Sequence, residues 1–145
     1  HLRDGVKCPC CEQKARVYRR KLYHKMSAWL IWLVREWKRD ERWISVNEGP
    51  VFQNRKGGGD YSKLKYWGFI QNEPNDDPNK VKSGMWRPLP AGIDFAEGRT
   101  RVPDYCMTYN DTVLEWSGKT VSVQESLGKH WTAADIWAGG GGRLL

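Results

Sequence analysis

The stretch from Tyr61 to Gly98 constrains the fold most, because helix, turn and strand signals alternate within it at close intervals. Tyr61, Leu64 and Trp67 recur about once per helical turn, so they predict a helix that turns these side chains toward a core. Gly68 follows directly, at the position where a residue in the left-handed conformation commonly ends a helix.

Two apolar runs come next, separated by a polar run rich in Pro, Asn and Asp. We predict that Phe69–Gln71 pairs antiparallel with Met85–Arg87 and that the polar run forms the loop between them. Pro90 then stands at a first-turn position and Gly98 ends the phrase, which predicts a short second helix.

The clearest helix in the sequence is "KMSAWLIWLVREWKRDER", which we place over Ser27–Asp40. Its apolar residues follow the helical period but also widen beyond one stripe, so the helix is either central in the core or shared with a second chain. Trp29, Trp32 and Trp37 are therefore candidates for the anchor of a protein interface or of a homodimer, with burial in the core as the alternative.

The remaining segments give shorter signals. Val51–Lys56 is predicted to form one helical turn. Apolar runs on both sides of Asn110-Asp111 predict a hairpin, and the run beginning at Thr120 is expected to extend it to a three-stranded meander. Two short helices follow, the second with Thr132 as its N-cap.

Three of the four cysteines lie within four residues, an arrangement that favours a reducing compartment or a metal site over disulfides. Cys8 and Cys11 have the spacing of a zinc knuckle, and His24 follows at the distance found in two-Cys two-His fingers. The second histidine of such a finger is missing, although structural zinc needs four ligands. A zinc site, a metal-free reduced turn and a redox pair therefore stay open. Further ligand candidates are Cys10, His24, Cys106 and His130, although the alternation around Cys106 favours a core position.

The net charge of +7 favours an anionic partner, with nucleic acid first and a membrane surface second, unless the charge serves solubility alone. The longest apolar run, Ala28–Val34, is too short to span a bilayer, and no secretory signal is visible. We expect a cytoplasmic protein that does not bind membranes. No catalytic constellation stands out, so we predict that it is not an enzyme.

The phrase "SKLKYWGFI…SGMWRPLPAGIDFAEG" resembles the second half of a winged helix-turn-helix domain of the MarR type. There a recognition helix runs into a Leu-x-x-x-Gly-Leu-Ile phrase, a β-wing and a Leu-Thr-x-x-Gly phrase. The matching residues are Leu64, Gly68, Phe69 and Ile70 in the first phrase and Leu89, Pro90 and Gly92 in the second. Pro90 departs from the usual Thr, and the segment preceding the recognition helix is short. The chain is also similar to small uncharacterised phage-encoded proteins with an N-terminal Cys-Pro-x-Cys, for which no activity is assigned.

The resemblance implies a winged-helix-like domain. Together with the N-terminal Cys-rich turn and the C-terminal β-meander with short helices, which the residues themselves predict, this gives an α+β fold. The predicted segments are a Cys-rich element at 1–24, a winged-helix-like core at 25–98, the meander and helices at 99–138, and a flexible tail at 139–145.

Two function classes follow from these observations. The first is DNA binding, with a helix in the major groove and a wing along the phosphates. Its candidate residues are Arg55, Lys56, Ser62, Lys63, Lys65, Tyr66, Lys80 and Lys82, with base contacts expected at Ser62, Lys63 or Tyr66. Lys63 and Lys65 have an alternative interpretation as the solvated face of a core helix. The second class is a phage-type protein-interaction module that binds and inhibits a host complex, for example a defence system, through an aromatic surface.

Overall fold

A computed structural model describes the backbone of residues 6–7, 14–52, 55–56, 61–74 and 84–138. Side chains are described in the same ranges except at residues 6–7, 14–15, 51–52 and 55–56. The strands are β1 (Val6–Lys7), β2 (Lys14–Ala15), β3 (Val17–Lys21), β4 (Ile44–Ser45), β5 (Val51–Phe52), β6 (Arg55–Lys56), β7 (Ile70–Asn72), β8 (Met85–Pro88), β9 (Val102–Pro103), β10 (Tyr105–Tyr109), β11 (Thr112–Trp116) and β12 (Thr120–Val121). The α-helices are α1 (His24–Asp40), α2 (Pro90–Ala96), α3 (Val123–Leu127) and α4 (Ala133–Trp137), and 3₁₀-helices cover Val46–Glu48 and Tyr61–Trp67. Within these ranges every strand pair is antiparallel, so the mixed content makes the fold α+β, as the sequence predicts.

Helix α1 lies at the centre of the core and begins three residues before the predicted start. All residues from Met26 to Val34 are buried, because α2, α3, α4, β8 and the 3₁₀-helix Tyr61–Trp67 all pack against it. Glu41 ends α1 in the left-handed conformation, and its N–H donates to the Trp37 carbonyl at 2.7 Å. The wide apolar face in the sequence is therefore explained by a helix that is covered on all sides.

A three-stranded sheet in the order β4-β8-β7 confirms the predicted pairing after Gly68. Ile70 pairs with Pro88 and Gln71 with Arg87, so the strand begins one residue later than predicted. Gly68 has φ of 72° and provides the predicted left-handed end of the preceding helix. Pro90 begins α2, also as predicted.

The prediction of a helical turn over Val51–Lys56 is wrong. β5 and β6 pair antiparallel, with Val51 opposite Lys56 and Phe52 opposite Arg55. Val and Phe favour strands, and two residues lie between the strands, which is the length of a tight hairpin connection.

The C-terminal meander is also corrected. β10 and β11 form the predicted hairpin, but the sheet order is β11-β10-β3, and β12 pairs with β9 instead of β11. The turn after β11 wraps around Asp104: the Ser117 hydroxyl donates to the Asp104 carboxylate at 2.7 Å, and the Asp104 N–H donates to the Lys119 carbonyl at 3.0 Å. These bonds direct the chain away from β11, and β3 takes the place at the other side of β10.

Strand β3 belongs to the predicted N-terminal segment, yet its partner β10 belongs to the predicted third segment. β1 and β2 pair antiparallel on the two sides of the Cys cluster, and the cluster itself and the tail at 139–145 lie outside the described residues. Thr132 caps α4 as predicted, accepting from the Asp135 N–H at 3.3 Å. Across the described residues, no helix has the length and apolar character needed to cross a membrane.

Gly92 gives a direct test of the contact between α2 and the strand that follows the 3₁₀-helix. A Cβ at this position would lie 2.3 Å from the Phe69 carbonyl oxygen. That oxygen is held in place because it accepts a hydrogen bond from the Leu89 N–H at 2.8 Å. We expect Gly92→Ala to lower the free energy of unfolding by about 3 kcal/mol, measured by urea denaturation. Gly118→Ala is the control, because nothing lies within 4 Å of its added Cβ. Equal urea midpoints for the two variants would contradict this packing.

Candidate nucleic-acid interface

The 3₁₀-helix Tyr61–Trp67 occupies the place predicted for the recognition helix. Leu64 and Trp67 are buried, and the Tyr61 ring packs against Trp29 with 4.8 Å between ring centroids. The inward face is thus the predicted one. Its spacing of three residues matches the three residues per turn of a 3₁₀-helix better than the 3.6 of an α-helix, which gives a reason for the tighter winding.

The outer face of this helix is less open than predicted, because the β10–β11 turn packs against it. The Lys65 Nζ lies 2.8 Å from one Asp111 carboxylate oxygen, and the Tyr66 hydroxyl donates to the other. Asn110 and Asp111 both have positive φ, as a tight hairpin turn requires, and this conformation turns the carboxylate toward the helix. Ser62 and Lys63, like Lys65 and Tyr66, are half-buried.

The electrostatics of this contact are visible in two ionisable groups. Hydrogen bonds from Lys65 and Tyr66, with the nearby charge of Lys63, lower the pKa of Asp111. Burial, followed by the hydrogen bond to Asp111, raises the pKa of Tyr66 to about 12. Asp111 is therefore a carboxylate, and Tyr66 a neutral donor, throughout the physiological range.

Lys63 faces a different neighbourhood, a small cavity of about 160 Å³ beside β3. We call this cavity the basic hollow; its described lining residues are Arg19, Arg20, Lys21, Tyr23, Met26 and Lys63. Four of these six carry a positive charge, and no carboxylate is among them. The basic run "ARVYRRK" gives no local sign of this convergence, because it depends on the pairing of β3 with β10.

Arg20 is the least exposed of the three β3 cations. Its guanidinium carbon lies 4.6 Å from the centre of the Tyr18 ring. Its Nε is buried and has no hydrogen-bond partner among the described residues. Its charge lies close enough to Tyr66 and Cys106 to favour their ionised forms, which places Arg20 between the sheet and the 3₁₀-helix.

The other predicted DNA contacts are less well defined. Arg55 and Lys56 lie on β6, where only the backbone is described, and Lys80 and Lys82 lie outside the described residues. The strands β7 and β8 flank the segment predicted as the wing. On β8, Arg87 donates to the Gln71 side chain at 2.8 Å.

The predicted metal ligands are only partly described, because Cys8, Cys10 and Cys11 lie outside the described residues. His24 stacks on His130 with 3.7 Å between ring centroids, and burial, with the charges of His130 and Lys25, lowers its pKa. Cys106 is fully buried, as the core interpretation predicted, and burial raises the pKa of its thiol. Within the described ranges, no three His, Cys, Asp or Glu side chains are gathered as a metal site would require.

The Trp-rich helix does not offer the predicted aromatic surface. Trp29 and Trp32 are buried, and Trp37 packs against the core, so these residues serve the interior of this chain. The anchor for a partner or for a homodimer was the wrong interpretation, because α1 has neighbours on every side. In the described part of the chain the exposed large apolar side chains are Tyr18, Tyr23, Leu114 and Trp116.

Comparison of the chain with protein-family models, with curated protein sequences and with solved structures gave no match. The candidate site is therefore argued from its own geometry and charge.

The contact between Lys65 and Asp111 predicts a pH-dependent coupling. The folded-state pKa of Asp111 is depressed, so its stabilisation is present above about pH 4, where an unfolded Asp titrates, and is lost as the pH falls through the folded value. We expect a double-mutant cycle of Asp111→Asn and Lys65→Met to give about 0.2–1 kcal/mol at pH 7, because the pair is exposed. Asparagine also tolerates positive φ, so the turn itself is kept. Urea denaturation at pH 7 and pH 2.5 measures the coupling, and a value that does not fall with pH would contradict the ion pair.

Proposed function

We propose that this chain is a basic winged-helix-like nucleic-acid-binding protein of a phage type that acts in the host cytoplasm. It binds DNA through the Tyr61–Trp67 helix and the loop between β7 and β8. The observation that carries the proposal is the order of elements: α1, β4, the 3₁₀-helix, β7, the polar loop and β8.

The strand order β4-β8-β7 supports the same proposal. In a winged helix the strand that returns from the wing lies between the first strand and the strand that enters the wing, as β8 does here. One departure lies between β4 and the 3₁₀-helix. Where the resemblance implies a helix, the chain has a 3₁₀ turn at Val46–Glu48 and the β5–β6 hairpin. The support of the recognition helix therefore comes from α1 and from the Asp111 turn.

Charge gives the second support. The chain carries a net charge of +7, and Lys63 adjoins three cations of β3 in the basic hollow. In the proposed complex Lys63 and Lys65 contact phosphates, together with Arg55, Lys56, Lys80 and Lys82. Ser62 and Tyr66 are the neighbouring groups that reach base edges.

Binding through phosphates has a measurable salt dependence. A protein making about 6–10 phosphate contacts loses about 10³–10⁵ in affinity between 50 and 200 mM salt. We expect Lys63→Gln with Lys65→Gln to flatten the log–log salt slope by about two units, one for each contact, without changing sequence preference. Fluorescence anisotropy on a labelled duplex across a salt series measures both quantities.

A matched control removes two charges from the far end of α1. If the phosphate contacts lie near the 3₁₀-helix, Lys38→Gln with Arg39→Gln leaves the log–log salt slope nearly unchanged. Arg39 is distant from that region, because it lies about 22 Å along the α1 axis from His24. Asp111→Asn adds a test of opposite sign. It releases Lys65 and removes a nearby negative charge, so affinity is expected to rise about two- to fivefold. No binding at 50 mM salt, or binding indifferent to the Lys63 and Lys65 substitutions, would refute the proposal.

A second candidate is the phage-type interaction module that inhibits a host complex. It is favoured by an apolar hollow of about 240 Å³ lined by Trp67, Val102, Pro103 and Trp116. Trp116 is 42% exposed and its neighbour on the strand, Leu114, is 47% exposed. This surface takes the place of the Trp-rich helix as the site for an apolar side chain of a protein partner. Failure of the native protein to bind duplex DNA would favour it.

Zinc is the proposed cofactor of the Cys turn, with Cys8 and Cys11 as ligands. Zinc bound there stabilises the fold directly, because ligand binding and folding are coupled at structural sites. We expect Cys8→Ser or Cys11→Ser to remove bound zinc, measured by elemental analysis, and to lower the thermal midpoint. Cys106→Ala is the control that keeps the metal. Absence of zinc in protein purified without chelator would show that the turn holds no metal.

A further inference from the structure

We propose that β3 carries a phosphate-binding site: the basic hollow holds a phosphodiester group of the nucleic acid that the neighbouring helix engages. This inference rests on the proposed function and adds Arg19, Arg20 and Lys21 to it. None of these residues was among the DNA contacts predicted from the sequence.

The charges of the hollow give the first argument. Arg19 and Lys21 are exposed on β3, Arg20 is half-buried, and Lys63 approaches from the 3₁₀-helix. Like charges gathered around one concavity repel one another, and an anion placed between them removes that repulsion. Asp111 is a described carboxylate near these cations: it bonds Lys65 and Tyr66, and the charge of Lys63 helps to lower its pKa, but it is not among the described lining residues of the hollow.

Arg20 gives the second argument. Its guanidinium is held against the Tyr18 ring, and its buried Nε lacks a partner among the described residues. A guanidinium presents several N–H donors in a fixed plane, which matches the paired oxygens of a phosphate. The buried Nε has almost no accessible surface, so a phosphate in the hollow would be met by the Nη groups of this guanidinium.

The size of the hollow decides what class of ligand fits. A volume of about 160 Å³ is below the ~300–1,000 Å³ typical of pockets for small organic molecules. It suits a single charged group better than a whole nucleotide. Tyr23, which is 51% exposed, stands at the same hollow and offers its hydroxyl and ring to the adjoining sugar or base.

The position of the hollow ties it to the recognition helix. Lys63 is a lining residue and also the third residue of that helix, so a phosphate in the hollow lies beside the helix rather than on a separate face. Strand β3 therefore extends the proposed DNA-binding surface from the helix onto the second sheet.

The test compares Arg19→Gln with Lys21→Gln against the control Lys38→Gln with Arg39→Gln, in the full chain. Both pairs remove one Arg and one Lys charge, and glutamine keeps most of each stem. Anisotropy with the same labelled duplex is expected to show a slope flatter by about one unit for the β3 pair, because the hollow holds one phosphate, and a lower affinity at 100 mM salt. Arg19 and Lys21 are exposed, so the thermal midpoint of the β3 variant should stay near the native value.

Each outcome has a distinct meaning. If the native protein binds duplex and the β3 pair behaves like the control pair, the phosphate site is overturned while the proposed function stands. If the native protein does not bind duplex at 50 mM salt, the proposed function fails and the site fails with it. If the β3 pair loses binding to poly-glutamate while keeping full duplex affinity, the hollow belongs to an acidic protein partner and the phosphate site is overturned.

Discussion

The burial of α1 on all sides is the constraint on which the rest of the structure depends. A helix whose residues Met26–Val34 are all buried needs neighbours around its whole circumference, and they come from distant parts of the chain. Leu64 and Phe95 cover it from the segment predicted at 25–98, and Leu127 and Ile136 cover it from the segment predicted at 99–138. The segments predicted at 25–98 and 99–138 therefore share one core, because β8 and the C-terminal helices α3 and α4 pack against the same helix.

This arrangement also determines the charges around the 3₁₀-helix Tyr61–Trp67. The sheet β11-β10-β3 lies beside the helix and presents two different groups to it. The cations of β3 meet Lys63 at the basic hollow, whereas the turn between β10 and β11 brings Asp111 to Lys65 and Tyr66. A helix of only seven residues thus has Lys63 beside the cations of β3 and Lys65 in an ion pair with Asp111.

Local signals were sufficient for much of the fold. The helix ends and the pairing of β7 with β8 were predictable from the sequence, because their signals act within a few residues of the chain. These signals are Gly68, Pro90 and Thr132. The hairpin at Val51–Lys56 was missed because a six-residue polar and apolar mixture has no clear period. The site was harder to predict, because the pairing of β3 with β10 joins residues about 90 positions apart, and no local pattern encodes it. The contact of Asp111 with Lys65 was hidden for the same reason, because it joins residues 46 positions apart and the sequence marked Asp111 only as part of a turn.

The different surroundings of the two lysines bear on how a polyanion would approach this surface. A phosphate that reaches Lys65 must displace a carboxylate 2.8 Å away, so it exchanges one ion pair for another and gains little. A phosphate that reaches the basic hollow meets four cations, and no described carboxylate lines the cavity. In the proposed complex the larger electrostatic gain therefore comes from β3, and Lys65 contributes only after the Asp111 turn gives way. In that complex β3, which the sequence assigned to the Cys-rich element, thus carries more of the electrostatic attraction for the polyanion than the Tyr61–Trp67 helix, which resembles a recognition helix.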